Sequence, residues 1–168
     1  GPSKFIFATE EGTIVGWTEQ QNSDGHFVRP THSVTAIDRS RMGAIYKGLA
    51  ISSAPKYNKL YAADFANRRV DVFDAAFKPV PQSKAAFKVP ATLIPANYAP
   101  FNIQEVSGTL YVAYAKLTDV RGEEAKGAGA GYVAQFDYKG KLLRVLEGKG
   151  YLNAPWGVAL APDDFGPY

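Results

Sequence analysis

The residues best placed to do chemistry stand at matched positions. Lys47, Phe101 and Trp156 each directly precede a small or turn-prone residue, Gly48, Asn102 and Gly157. A lysine beside aromatic rings can hold an anionic or aromatic ligand by charge attraction and stacking. The same residues also suit plain packing, with the rings between elements and the lysine stem reaching out to solvent. Glu10, Asp64 and Glu105, with Glu11 and Asn102 nearby, offer hard oxygen ligands of the kind a calcium-like ion takes. No spacing among them is diagnostic, and carboxylates at strand ends also serve turn amides. His26 and His32 flank a polar loop with no nucleophile or carboxylate beside them. The Gly127–Gly131 run lacks a following Lys-Ser/Thr and opens no helix, so it reads as loop glycine rather than a phosphate cradle. Ser52, Ser53 and Ser107 lack the context of a nucleophile elbow.

Composition narrows the chemistry further. Cysteine is absent, which excludes disulfide scaffolds, thiolate zinc sites and cysteine nucleophiles. Two histidines are too few for a three-histidine metal site. The net charge of +3 is scattered among acids, and the densest basic groups are Arg39–Arg41 and Arg68-Arg69. A nucleic-acid surface needs a basic stripe, so none is expected. No apolar run reaches the ~18 residues of a membrane helix. The 168 residues suffice for one domain, and 16 Gly, 11 Pro and 22 aromatic residues favour short strands over helices.

The elements that must position these residues follow a repeat. Tyr46–Ile51, Pro100–Glu105 and Pro155–Leu160 share one pattern, with offsets of 54 and 55 residues from Gly48 to Asn102 to Gly157. Lys4–Thr9, Lys59–Asp64 and Thr109–Tyr114 form a second set. Thr13–Trp17, Arg69–Phe73 and Tyr132–Phe136 form a third, and Val34–Ile37, Lys84–Phe87 and Leu142–Leu146 an outer fourth. Asp74 and Asp137 follow the third strand as turn formers, with Thr18 in the matching place of the first unit. Gly122–Ala130 interrupts a unit as a long loop. Four short strands repeating at this period predict an all-β chain built of β-propeller blades, with a β-sandwich as the alternative.

The phase of the repeat is offset. The chain opens on the second strand of a blade and closes on the first strand of another, twelve strands in all. Gly1–Ser3 reads as an expression-tag remnant. Residues 4–168 then form three blades, at about 4–43, 44–97 and 98–150, with 151–168 supplying the innermost strand of a split blade. Three blades are too few to close a ring, and an open arc leaves strand edges in water. The expected remedy is a homodimer with a second copy of the chain. Ala154–Leu160 of each copy would then complete the blade begun by Lys4–Thr9 of the other, giving a six-bladed ring. The missing half of a longer propeller is the rival partner.

Several segments, among them Phe5–Trp17, Leu60–Phe65, Val70–Asp74, Tyr98–Ile103, Leu110–Lys116 and Leu152–Pro162, resemble a family of uncharacterised, mostly bacterial proteins. Its members are often exported, sometimes carry a PEP-CTERM sorting signal, and are similar to NHL-repeat six-bladed propellers. The resemblance implies a six-bladed ring, an exported or extracellular parent protein, and a chain that is about half of a member. It supplies no activity, cofactor or catalytic residue. The leading expectation is therefore a self-assembling scaffold or binding module with a small-ligand site at the channel mouth, built from Lys47, Phe101, Asn102 and Trp156. A lactonase-like hydrolase with a divalent metal on Glu10, Asp64 and Glu105 is the second reading. A carbohydrate- or peptide-binding module is the third.

Overall fold

One type of turn recurs three times and sets the hairpins. Asp74 Oδ1 accepts the N–H groups of Ala76 and Lys78, both at 2.9 Å. Asp137 Oδ1 accepts those of Lys139 and Lys141 at 2.8 and 2.9 Å. Asn22 Oδ1 accepts those of Asp24 and His26 at 3.1 and 2.8 Å. A short side-chain acceptor thus holds the backbone of a tight reversal. The third residue after it is left-handed each time, at Gly25, Phe77 and Gly140 (φ +81°, +59° and +80°). The roles expected of Asp74 and Asp137 are met. Their counterpart is Asn22 rather than Thr18, because the first unit runs four residues further before it turns.

A computed structural model describes residues 2–52, 54–146 and 150–166. Gly1, read above as part of a tag remnant, Ser53, residues 147–149 of the third predicted unit and the last two residues of the chain lie outside the described residues. The chain is all-β. The first sheet holds β1 (Phe5–Ala8), β2 (Thr13–Trp17) and β5 (Val34–Asp38), with a separate hairpin of β3 (Gln20–Gln21) and β4 (Phe27–Val28). The second holds β6 (Tyr46–Ile51), β7 (Lys59–Asp64) and β8 (Arg69–Asp74). The third holds β9 (Tyr98–Val106), β10 (Thr109–Lys116), β11 (Gly131–Phe136) and β12 (Leu142–Leu146) in sequence order. Every ladder is antiparallel, and all join chain neighbours except β2 with β5, which brackets the β3–β4 hairpin. The predicted strand sets therefore fall in the sheets expected of them, with two exceptions.

The first exception is Lys84–Phe87, expected as an outer strand and found as a turn. A fourth strand does begin, since the Val80 N–H bonds Val72 O at 2.8 Å. Pro81, which lacks an N–H, follows directly. Phe87 then leaves the sheet. Its N–H donates to Gly140 O at 2.8 Å, and its ring packs between Tyr61 and Phe136 at centroid distances of 6.0 and 5.4 Å. Burying that ring contributes about 1.5–3 kcal/mol, which offsets ladder bonds worth about 0.5–1.5 kcal/mol each. The second exception is Ala154–Leu160, expected as an inner strand. It pairs with no strand, and Trp156 and Leu160 are exposed. Within one chain the strand it was expected to join, β1, lies elsewhere.

Alternating strands place the apolar faces between sheets. Tyr61, Val72, Ile103, Val112 and Phe136 form the core between the second and third sheets. Ile14, Ile37, Tyr46, Leu60 and Phe73 fill the space between the first and second. The edge strands β6 and β9 of the second and third sheets approach closely. A β-carbon on Gly48 would strike the Asn102 side chain and come within 2.8 Å of its Cα, so only glycine fits there.

Candidate functional site

Two β-bulges build the site. In β6, Tyr46 pairs with Asp64 and Gly48 with Ala63, which leaves Lys47 as the extra residue. In β9, Pro100 pairs with Tyr114 and Asn102 with Ala113, which leaves Phe101 extra. The two residues matched by the sequence repeat thus occupy the same irregularity in successive sheets. A bulge re-aims the extra side chain, and here both turn toward one end of the molecule.

At that end Lys47 Nζ lies 2.6 Å from Glu10 Oε1, 3.9 Å from Glu124 Oε2 and 5.7 Å from the centroid of the Phe101 ring. The Lys47 side chain is only 7% exposed. Phe101 is fully buried, with Phe65 and Trp156 against it at centroid distances of 5.4 and 4.9 Å. The Asn102 side-chain amide donates to the carbonyl of Trp156. Lys47, Phe101, Asn102, Trp156 and Glu10 therefore come together as one cluster. Glu124 is a member that sequence reading missed. It arrives on the loop between β10 and β11, whose Arg121 also donates to Gly43 O. The signal was the charge of that loop, but nothing in its spacing said where it would fold.

Electrostatically the cluster is closed. Two carboxylates already match the buried ammonium of Lys47, so a further anion would have to displace one of them. What it presents to solvent is the exposed ring of Trp156 and the outer side of the Glu10 carboxylate.

The three proposed metal ligands are not brought together. Asp64 is fully buried. Its Oδ1 accepts the N–H groups of Ile45 and Asn67, both at 3.2 Å, and its Oδ2 accepts Asn67 Nδ2 at 2.7 Å. Arg69 Nε stands 3.4 Å from it as an ion pair and 2.9 Å from Asp71 Oδ1. Glu105 Oε1 accepts Gly108 N–H at 2.8 Å and the Tyr138 hydroxyl at 2.7 Å, at the far end of the β9–β10 hairpin. Glu10 serves Lys47. Among the described residues no three His, Asp or Glu side chains stand close enough to share a cation. These residues do not fit a calcium-like ion, because turns and the lysine already use their oxygens. His26 lies in the β3–β4 turn and His32 in an exposed loop.

Two tyrosines beside the bulges are strongly shifted. Burial, then the 2.8 Å bond to Asp71, pushes the Tyr46 hydroxyl far above the usual phenol range. Burial alone pushes Tyr114 in the same direction. Both stay protonated and act only as neutral hydroxyls.

No protein-family model matches the chain. Three curated relatives do, all uncharacterised proteins of Acanthamoeba polyphaga mimivirus. One is 34% identical over 142 residues, covering 83% of this chain and 37% of the relative. Another is 30% identical over 165 residues, covering 98% and 29%. The third is 30% identical over 165 residues, covering 96% and 38%. These findings overturn the resemblance to a bacterial, exported, NHL-like family. The motifs behind it are short alternations of apolar residues with Gly, Asn and Pro, which the strand–turn pattern itself demands of any such sheet. The export and the six-blade count that came with that resemblance lose their support. The chain spans about a third of the length of the curated relatives it matches, and it is similar to a segment of uncharacterised mimivirus proteins.

Proposed function

We propose that this chain is an arc of a β-propeller that serves as a binding and assembly scaffold, and that it completes its first sheet by exchanging an inner strand with a second copy. One observation carries the reading. The second and third sheets each begin with an inner strand, β6 and β9, whereas the first begins at β1 with that place open. Phe5 and Phe7 on β1 are 58% and 51% exposed, and a groove of about 380 Å³ runs between β1 and β6. The chain also carries an unpaired segment, Pro155–Leu160, with the sequence pattern of the strand that is lacking. Matching it to β6 gives a specific register. Gly157 lies opposite Ala8, Val158 opposite Phe7 and Ala159 opposite Ile6, with Trp156 as the bulged residue. Pairing would cover an apolar edge that otherwise invites aggregation.

Light scattering tests the assembly. A mass of twice 18.2 kDa is expected, and Ala159→Pro, which removes a ladder donor facing Ile6 in that register, should return it to 18.2 kDa. A wild-type chain that stays at the single mass, or an Ala159→Pro chain that stays paired, overturns the proposal. A dimer joined through Trp156 should also quench or shift its fluorescence on pairing.

A further inference from the structure

Away from that edge and from the Lys47 cluster, a cleft between the second and third sheets combines three features. The first is charge. A groove of about 540 Å³ along β8 is lined by Arg39, Arg68, Arg69, Lys84 and Lys88 against a single carboxylate, Asp71. Asp71 is taken by Arg69 and by the Tyr46 hydroxyl. Among the described residues Arg39, Arg68, Lys84 and Lys88 make no ion pair. The second feature is an orphaned donor. Arg68, Phe87 and Lys88 also line an adjoining pocket of about 190 Å³ that reaches Tyr114. Tyr114 is 5% exposed, and its buried hydroxyl has no hydrogen-bond partner among the described residues. A buried hydroxyl left unpaired is costly and calls for an explanation. The third is backbone strain. Arg68 and Phe87, common to both cavities, hold left-handed backbones at φ +56° and +57°. Side-chain-bearing residues other than Asn and Asp avoid that region unless the surroundings enforce it.

We propose that this cleft binds an oxyanion, a carboxylate or phosphate group, with Arg68 and Lys88 as its charged partners and Tyr114 as a neutral donor from the floor. Arg39 and Lys84 draw the ligand in along the groove. Two cations and one uncharged hydroxyl suit the head of a small anionic molecule, whose body the larger groove accommodates. The site shares no residue with the exchange edge, so it stands whether or not the chain dimerises.

Isothermal titration of the full chain with inorganic phosphate, and separately with acetate, tests it at constant ionic strength set by chloride. Saturable binding of either probe is expected, and the probe that binds identifies the ligand group. Tyr114→Phe and Arg68→Gly should each weaken that binding about tenfold. Neither should lower the melting temperature without ligand, because one removes an unpaired hydroxyl and the other relieves a left-handed backbone. Lys88→Arg should retain binding. The proposal is overturned if neither probe saturates, or if Tyr114→Phe binds as the wild type does. It also fails if a single-stranded RNA competes as well for the Tyr114→Phe chain as for the wild type, since that marks a diffuse cationic surface.

Discussion

The second and third sheets use one backbone device with opposite chemistry. Asp64 and Tyr114 occupy the same place, each opposite the residue that precedes a bulge. Asp64 is buried and fully engaged, by two backbone N–H groups, the Asn67 amide and the Arg69 guanidinium. Tyr114 is buried with an idle hydroxyl. The extra residues differ likewise, because Lys47 needs two carboxylates where Phe101 needs only rings. A repeated fold thus fixes where a side chain points, while the identity of that side chain decides whether the position closes the structure or leaves capacity for a ligand.

The harshest way to break this comparison is at Asp64. Asp64→Ala leaves two partly buried N–H groups without an acceptor and Arg69 without one of its partners. It should cost about 3–5 kcal/mol in urea unfolding. A loss below about 1 kcal/mol would mean that the carboxylate is incidental to the turn, and the contrast with Tyr114 would collapse.

Lys47 sharpens the same comparison at a smaller scale. Lys47→Met keeps the stem over Phe101 and removes the ammonium. Glu10 is 62% exposed and can return to water, whereas Glu124 is more enclosed. A loss of about 1–2 kcal/mol is expected, less than at Asp64 because one partner regains its hydration. If high salt erases the difference between wild type and variant, the pair is a surface bridge. If the difference survives salt, the cluster is the sealed unit that its 7% exposure implies.

Much of this architecture was legible because turns and alternation are local. Asp74 and Asp137 announce their hairpins by residue type, and the offset of 54 residues between Gly48 and Asn102 located two strands, β6 and β9. What escaped was non-local. Phe87 carries an apolar pattern that suits a strand, yet the space between Tyr61 and Phe136 claims its ring. Glu124 reaches Lys47 only because a fourteen-residue loop (117–130) folds back over β6. The idle hydroxyl of Tyr114 has no sequence signature, since a tyrosine in an apolar run reads as core whether or not its oxygen finds a partner. The proposed ligand residues Lys47, Phe101 and Trp156 were recognisable as a set. Their charge balance was not, because it depends on which carboxylates the loops deliver.

The gentlest probe compares the three equivalent turns. Asp74 is held below the usual carboxylate range, chiefly by the Lys78 N–H bond, and Asn22 makes the same two bonds without a charge. A carboxylate whose pKa is lower folded than unfolded adds stability above its unfolded value, about 3.8, and loses that contribution as the pH falls through the lower folded value. Stability should therefore decline over the acid limb below about pH 4. Asp74→Asn keeps the side-chain oxygen that the turn requires. It should leave stability near pH 7 almost unchanged and make the acid limb measurably shallower. Chemical denaturation at a series of pH values reads this directly. An unchanged acid slope would assign the limb to the other depressed carboxylates, Glu19 and Asp38, and would show that charge adds nothing at Asp74 beyond what Asn22 already supplies.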